Sequence, residues 1–176
     1  MIDKLKSLKE NIREVPDFPK KGILFRDITT LLKDPILLSN ALDLLVEPFK
    51  NCGITKVVGL ESRGFIFGSL IAHKLNAGFV LVRKKGKLPA VTISQNYTLE
   101  YGNDALEMHI DAISPNDIVL LHDDLIATGG SALAVVSMLK KLNVKKIYAS
   151  FLCELVDLHG KEKLQGLEQI ETVLQF

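Results

Sequence analysis

Tryptophan is absent from the 176 residues of this chain, and cysteine occurs only twice. Cys52 and Cys153 lie far apart and follow neither a metal-binding nor a disulfide spacing, so we expect buried, reduced thiols. No apolar run is long enough to cross a membrane. The N-terminal sequence Met-Ile-Asp-Lys-Leu-Lys is charged and lacks the apolar core of a signal peptide, which favours a cytoplasmic protein without a membrane partner.

An excess of charge of either sign is also lacking. The chain has 22 basic and 21 acidic residues and a formal net charge of +1, which gives no field for gripping nucleic acid or an anionic membrane. Apolar residues make up 47% of the chain and the mean hydropathy is +0.21, so a sizeable core is expected and disorder is not. The length suits one globular domain, which we predict to span residues 1–176.

The N-terminal part of the chain predicts two helices. Apolar residues recur at helical spacing from Ile2 to Ile12, with charged residues between them, as in an amphipathic helix. Asp34 followed by Pro35 is a strong helix start, because aspartate caps the first N–H groups and proline suits the first helical position. Pro48 is expected to kink or end this second helix.

Further along, apolar runs alternate with helical patterns. The sequence predicts strands over residues 55–60, 78–82, 118–121 and 146–152, and helices over residues 65–75 and 132–142. Continuous apolar strands separated by helices are typical of parallel β-α-β crossovers, so we predict an α/β fold with a twisted, mostly parallel sheet and helices on both faces. Residues 83–104 break this pattern, being rich in Lys, Gly, Pro and polar groups, which predicts a loop.

The most informative stretch follows the strand over residues 118–121. Asp123 and Asp124 come after it, and then the small-residue stretch 127–131 (Ala-Thr-Gly-Gly-Ser) leads into a helical pattern. Small residues let the backbone come close to a ligand, and the N–H groups at a helix start attract anions, so this stretch predicts a phosphate site. The two carboxylates suit ribose hydroxyls, a hydrated divalent cation, or both. The alternative is an ordinary strand-to-helix turn in which the glycines only give flexibility.

Other phosphate-binding signatures are missing from the sequence. It contains no Gly-x-x-x-x-Gly-Lys-Ser/Thr and no Gly-x-Gly-x-x-Gly after a strand. This argues against a P-loop NTPase and against a dinucleotide-binding Rossmann domain. An adjacent acidic pair at a strand end also packs poorly and needs a partner, which favours a binding site over a plain turn.

The stretch from Val119 to Ser131 resembles the phosphoribosyl pyrophosphate (PRPP) signature of type I phosphoribosyltransferases. Three further stretches narrow the resemblance to the adenine phosphoribosyltransferase family. Residues 16–28 resemble that family's purine-site segment, residues 59–68 its pyrophosphate loop, and residues 83–102 its mobile hood. The resemblance runs from about residue 16 to residue 155 and carries four motifs in the family's order.

This resemblance implies a fold, a reaction and partners. The fold is that of type I phosphoribosyltransferases, with a base-site segment within about residues 1–34 and a flexible hood over about residues 83–104. The reaction is the Mg²⁺-dependent transfer of the ribose phosphate of PRPP to adenine, which gives AMP and pyrophosphate and serves purine salvage. The family also implies a homodimer.

The resemblance assigns a role to each motif. The ribose and its phosphate are assigned to Asp123, Asp124, Ala127, Thr128, Gly129, Gly130 and Ser131. Pyrophosphate is assigned to Glu61, Ser62, Arg63, Arg83, Lys84 and Lys87. Adenine is assigned to Leu24, Phe25, Arg26 and Leu155, and the catalytic residues to Glu100 and Arg63. Mg²⁺ is expected mainly on substrate oxygens and water, with Asp123 and Asp124 as the protein residues closest to that role.

Each assignment has a simpler alternative. Phe25 suits a core position, the basic hood residues suit a solvated loop, and Glu100 suits an exposed surface. The four histidines form no constellation, and we interpret them as packing or surface residues. Two departures from the family are visible: Ser131 stands where many members have Thr, and Glu61 stands where some have Asp before a peptide bond that is often cis.

Two other functions compete with adenine transfer. A related enzyme can use hypoxanthine, guanine or xanthine on a similar PRPP site, although such enzymes lack the pattern around Phe25 and Glu100. A regulator that keeps the fold but binds nucleic acid or protein is the second, because fold does not imply function. Such a regulator is expected to carry a basic face or a DNA-reading module, and neither is evident in this sequence.

Overall fold

The structure is a computed structural model that describes residues 2–99 and 102–176. The chain divides into two compact units, residues 1–44 and residues 45–176. The single domain expected from the chain length therefore stays a prediction. Among the described residues, no helix is both long enough and apolar enough to span a membrane.

The N-terminal unit combines helices with a two-stranded antiparallel sheet. Its elements are α1 (Ile2–Asn11), β1 (Arg13–Pro16), β2 (Leu24–Asp27), α2 (Thr29–Leu32) and the start of α3 (Pro35–Val46). The Asp34 carboxylate accepts the N–H groups of Ile36 and Leu37 at 2.8 and 3.0 Å, so the predicted capped helix start is confirmed. The helix ends before Pro48, which lies in a short 3₁₀ helix, as the sequence predicted.

The C-terminal unit is built around a seven-stranded sheet in the order β5-β6-β4-β3-β7-β8-β9. Its elements are β3 (Lys56–Leu60), α4 (Gly64–Lys74), β4 (Gly78–Lys84), β5 (Thr92–Leu99), β6 (Gly102–His109), β7 (Ile118–Ile126), α5 (Gly130–Lys141), β8 (Lys146–Glu154) and β9 (Gln169–Gln175). Strands β4, β3, β7, β8 and β9 run parallel to one another. Strand β6 runs antiparallel to both of its neighbours, β4 and β5. The predicted α/β fold with a mostly parallel sheet is confirmed.

Alternate residues of β3 face opposite sides of the sheet, and each side carries a helix. Val58 and Leu60 belong to the buried cluster that includes the apolar face of α5. On the other side, an added Cβ on Gly59 or on Gly68 of α4 would come within 2.8 Å of the Phe79 ring. The two glycines therefore make room for this ring between the sheet and α4. Helices cover both faces, as the apolar strands predicted.

Strand β7 is longer than the sequence predicted. It continues past Leu121 through Asp123 and Asp124 to Ile126, so the acidic pair lies within the strand and not in the turn after it. The reason is that β7 is paired with β8 as far as Ile126, and backbone ladder bonds hold the polar residues in extended conformation. Periodicity of apolar residues could not detect this extension.

The segment predicted as a loop over residues 83–104 contains strand β5 and the start of β6, which together form a β-hairpin. Strands β5 and β6 pair antiparallel along their whole length, and β6 joins the sheet beside Arg83 and Lys84 of β4. The side chains of Ala105, Leu106 and Met108 are buried. Strand β9, on the opposite edge, was also not predicted. Edge strands of polar composition depend on pairing partners that are distant in the chain, which local patterns do not reveal.

The two cysteines differ in burial. Cys153 on β8 is fully buried, as expected for a core thiol, whereas Cys52 is only half-buried. The expectation that both lie in the core is therefore wrong for Cys52. It lies in the turn between the 3₁₀ helix and β3, where its Sγ is 3.7 Å from the Pro48 carbonyl oxygen.

Candidate active site

The stretch 127–131, here called the phosphate loop, joins the end of β7 to the start of α5. Gly129 has φ +77°, a left-handed conformation that favours glycine, and α5 begins at Gly130. Among the described residues, no side chain caps this helix start. The N–H groups of the first turn therefore have no partner within the helix and can bind an anion. The five predicted phosphate-site residues are contiguous in this loop.

The segment over residues 160–163 packs against the phosphate loop. An added Cβ on Gly129 would overlap the carbonyl oxygen of Gly160, and one on Gly160 would overlap the carbonyl oxygen of Ala127. Lys163 Nζ donates a 2.7 Å hydrogen bond to the Thr128 carbonyl. Sequence reasoning missed Gly160 and Lys163, because they lie after β8 and belong to none of the phosphate-binding patterns considered.

The acidic pair lies immediately before this loop on β7. Asp124 is 2% exposed and forms an ion pair with Arg63, with 3.1 Å between Oδ2 and Nε, while Asp123 is half-buried. Burial raises the pKa of both carboxyls, and the neighbouring negative charge of Asp124 raises the pKa of Asp123 further. Arg63 opposes this rise at Asp124. The pair is therefore easier to protonate than two free aspartates.

The turn over residues 61–64 brings the predicted pyrophosphate loop to the acidic pair. Its Glu61–Ser62 peptide bond is cis. An added Cβ on Gly64, the first residue of α4, would lie 2.8 Å from Asp123 Oδ1. Glycine at this position lets the turn approach the carboxylates closely. The carboxyl ends of β3 and β7, which are adjacent parallel strands, thus bring the two predicted loops together.

Glu61 contacts basic residues at the end of β4 and just after it. Its carboxylate accepts Arg83 Nη2 at 3.3 Å and the backbone N–H of Lys84 at 3.0 Å, and it forms an ion pair with Lys87. Burial alone raises the pKa of Glu61, but these hydrogen bonds outweigh it and lower the pKa to about 2. Lys84 Nζ in turn lies 3.2 Å from Asp104. The simpler alternative of a solvated basic loop therefore does not describe these residues, because each predicted pyrophosphate cation contacts a carboxylate.

Tyr97 links the hairpin to the start of α5. Its ring packs against the buried cluster, its hydroxyl lies 3.3 Å from Asp104 Oδ2, and Ser131 of α5 lies near the same hydroxyl. Burial raises the pKa of the Tyr97 phenol, so the hydroxyl stays protonated at neutral pH. Polar contacts therefore run from Tyr97 through Asp104 to Lys84.

The residues assigned to adenine lie on both units. In the N-terminal unit, Leu24, Phe25 and Arg26 lie on β2, where the Phe25 ring meets the ring of Phe18 edge-on with centroids 5.1 Å apart. Arg26 pairs with Glu14 across β1 and β2. In the C-terminal unit, Leu155 follows β8, and its N–H donates to the Ile126 carbonyl at 3.0 Å.

Two other predicted features have different outcomes. Glu100, together with Tyr101, lies outside the described residues, so its assignment stays a prediction. His122, next to the acidic pair in sequence, is fully buried, and burial lowers its pKa to about 3. A histidine that stays neutral in the core fits the packing role that was predicted for it.

The carboxylates of the site suit a metal ion that is coordinated mainly by substrate oxygens and water. Within residues 2–99 and 102–176, no group of three or more His, Cys, Asp or Glu side chains can hold a metal ion. The acidic pair supplies two carboxylates at most. Mg²⁺ keeps several waters and often takes only one or two carboxylates together with substrate phosphates, so Asp123 and Asp124 fit this mode of binding.

Comparison with known proteins gives a consistent result. Residues 28–170 match the family described as phosphoribosyl transferase domain. The adenine phosphoribosyltransferase of Bacteroides thetaiotaomicron is 52% identical over 174 residues, 99% of each protein. That of Rhodothermus marinus has a similar crystal structure, with a TM-score of 0.95 and 52% identity over 100% of both chains. That of Saccharomyces cerevisiae, solved with D-2,5-dideoxy-2,5-imino-altritol 1,6-bisphosphate and adenine, has a TM-score of 0.92 and 38% identity over 99% of this chain and 100% of that chain.

Proposed function

The chain belongs to the adenine phosphoribosyltransferases of the phosphoribosyl transferase family, and we infer that it transfers the ribose phosphate of PRPP to adenine, giving AMP and pyrophosphate. The reaction is a pentosyl transfer that salvages a purine base. The observation that carries this inference is the meeting of the phosphate loop, the acidic pair and the 61–64 turn at the ends of two adjacent strands. These groups suit a ligand with a phosphate, a sugar and a second phosphate group.

The chemistry joins a ring nitrogen of adenine to C1 of the ribose. The bond between C1 and pyrophosphate breaks, and its electron pair leaves on a pyrophosphate oxygen. Positive charge develops on the ribose during this step, so water must be kept away and the sugar held still. The phosphate loop holds the 5′-phosphate on backbone N–H groups, and Asp123 and Asp124 accept the ribose hydroxyls. Closure of the hood, residues 83–104, is expected to exclude water.

Pyrophosphate is assigned to the cations that now contact carboxylates. Arg83 and Lys87 contact Glu61, and Arg63 contacts Asp124. These ion pairs hold the cations near the end of β3. When pyrophosphate binds, its oxygens would replace the carboxylates as partners of these cations. Mg²⁺, when bound, would neutralise charge on the departing pyrophosphate, with Asp123 or Asp124 as its protein ligand and water or substrate as the others.

Adenine contacts are proposed for Leu24, Phe25, Arg26 and Leu155 on the strength of the family resemblance. Stacking of Phe25 on the purine would contribute roughly 0.5–1.5 kcal/mol beyond the area that it buries. Glu100 is proposed to hold the proton of the imidazole part of the ring as the nitrogen attacks, a role that typically contributes about 10²–10⁴-fold in rate. Glu100→Leu should therefore lower kcat by about 10²-fold, and unchanged turnover would exclude the proton role.

A homodimer, a cytoplasmic location and a single catalytic domain complete the proposal. The family match over residues 28–170 includes parts of both compact units, which supports one phosphoribosyltransferase domain. The family resemblance implies that some hood contacts can come from the partner subunit, which would give the dimer a role in the site.

A purine panel tests the proposed function. Purified protein is incubated with PRPP, Mg²⁺ and adenine, hypoxanthine, guanine or xanthine, and nucleotide and pyrophosphate are both measured. We expect kcat/KM for adenine to exceed that for the other bases by about 10²-fold or more, since hydrogen bonds to the base edge discriminate strongly. A preference for hypoxanthine would change the substrate assignment. Absence of pyrophosphate release with every base would favour the regulator.

A further inference from the structure

A lysine outside the strand–loop–helix motif holds the backbone of the phosphate loop. Lys163 is the last residue of the 3₁₀ helix Lys161–Lys163, and it is separated from Thr128 by 35 positions in the chain. Its Nζ donates a hydrogen bond of 2.7 Å to the Thr128 carbonyl oxygen. The contact joins a cationic side chain to a main-chain acceptor within the loop that is proposed to bind the 5′-phosphate.

Backbone packing brings the same segment against the loop independently of this hydrogen bond. Gly160 is buried, and an added Cβ would overlap the Ala127 carbonyl oxygen and lie 2.7 Å from the backbone nitrogen of Gly129. The φ of Gly160 is −66°, which any residue can adopt, so it is the close approach and not the backbone conformation that requires glycine. The segment and the loop therefore contact each other main chain to main chain.

The segment over residues 159–166 is itself fixed to α5 and to the core. Leu164 is 3% exposed and belongs to the buried cluster that includes the apolar face of α5. Lys140, in the last turn of α5, donates a 3.1 Å hydrogen bond to the Gln165 carbonyl. Lys163 therefore extends from a segment that is held by α5 and by the core. Its hydrogen bond to Thr128 can restrain the position of the phosphate loop.

We propose that Lys163 is a positioning residue for PRPP binding, an inference that rests on the proposed function. The carbonyl of Thr128 and the N–H of Gly129 belong to one planar peptide unit and point in opposite directions, so fixing the carbonyl fixes the N–H. A carbonyl oxygen beside a phosphate would repel it. The ammonium group of Lys163 engages this oxygen and neutralises its partial charge, which leaves the loop N–H groups as the groups that meet the phosphate.

Steady-state kinetics of Lys163→Met test the inference, with Lys161→Met as the matched control. Lys161 lies in the same 3₁₀ helix, and within the described part of the chain it forms no side-chain hydrogen bond or ion pair. We expect Lys163→Met to raise the KM for PRPP on the order of tenfold, at the lower end of the range for loss of one hydrogen bond from a charged donor. The KM for adenine and the kcat should stay within about twofold of wild type, because Lys163 is not among the residues assigned to adenine or to catalysis.

Two further variants separate positioning from a general effect on folding. Lys163→Arg keeps a cationic donor and should restore most of the affinity for PRPP. Gly160→Ala disturbs the same contact from the backbone side and should also raise the KM for PRPP. A KM for PRPP in Lys163→Met equal to that of Lys161→Met would overturn the inference, as would an equal rise in the KM for adenine. Wild-type protein without any transferase activity would instead overturn the proposed function.

Discussion

Asp124 is almost fully enclosed, and its carboxylate contacts only one cationic group among those described, Arg63. Replacing it by Asn removes a charged hydrogen-bond acceptor and leaves the guanidinium of Arg63 without its carboxylate. Since hydrogen bonds to charged groups contribute about 1.5–3 kcal/mol, we expect Asp124→Asn to raise the KM for PRPP by about tenfold or more. Initial-rate kinetics with Asp111→Asn, an exposed acid outside the site, provide the control. Identical PRPP kinetics in the two variants would contradict the ribose assignment.

Glu61 makes a second prediction at the residue scale, on acid stability. Its pKa is lowered from 4.5 to about 2 in the folded protein, so its ionised form stabilises the fold above about pH 4.5, and this stabilisation is lost as the pH falls toward 2. The upper limit is roughly 3 kcal/mol, and exposure of Lys87 reduces it through solvent screening. Urea unfolding is measured between about pH 5 and pH 2.5, a range set roughly by the unfolded and folded pKa of Glu61. Over this range Glu61→Gln should lose less unfolding free energy than wild type.

A matched substitution checks this interpretation of Glu61. Glu10→Gln removes an exposed carboxylate of α1 and should leave the acid dependence of unfolding close to that of wild type. If Glu61→Gln loses as much stability on acidification as wild type does, the ion pairs with Arg83 and Lys87 are not what protects Glu61 from protonation.

At the scale of elements, the loop between β7 and α5 depends on glycine for two separate reasons. Gly129 has a left-handed φ, and an added Cβ would also overlap the Gly160 carbonyl. Gly129→Ala should therefore lower the unfolding free energy by about 1–3 kcal/mol and weaken AMP binding, because the loop must move away from residue 160. Thermal unfolding and calorimetric titration with AMP measure the two effects.

Gly53→Ala is a control that places alanine at a left-handed φ without any steric overlap. Its φ is +68°, and an added Cβ would meet only the Ile118 Cδ1 atom at an ordinary 3.7 Å. Gly53→Ala should cost stability without changing the affinity for AMP. Unaltered AMP affinity in Gly129→Ala would show that the loop tolerates displacement and does not form the phosphate site.

The hairpin of β5 and β6 shows how elements combine into a site. The sequence predicted a basic, flexible segment here, whereas the structure places Tyr97 of β5 against Ser131 at the start of α5 and Asp104 of β6 against Lys84 of β4. Polar residues of this hairpin such as Gln95 and Asp104 have partners on other elements. Local composition cannot distinguish such residues from those of a solvated loop.

At the scale of the whole molecule, the oligomeric state is the testable property. The chain has a mass of 19.5 kDa, and a homodimer would sediment with twice that mass. Sedimentation equilibrium at micromolar concentration should detect the dimer, and dilution below its dissociation constant should reduce specific activity if the partner contributes hood contacts. A fully active species of 19.5 kDa at all concentrations would exclude the proposed role of the partner subunit.

The sequence by itself determined the α/β class, the helix start at Asp34, the order of the motifs and the small-residue loop over residues 127–131. Each depends on local chemistry: apolar periodicity, capping by a carboxylate, and the freedom of glycine. Only the tertiary structure decided the full extent of β7, the strands at the sheet edges, and the partners of the site residues. Those features depend on main-chain pairing and packing between segments far apart in the chain, such as Lys163 and Thr128, and no local pattern encodes them.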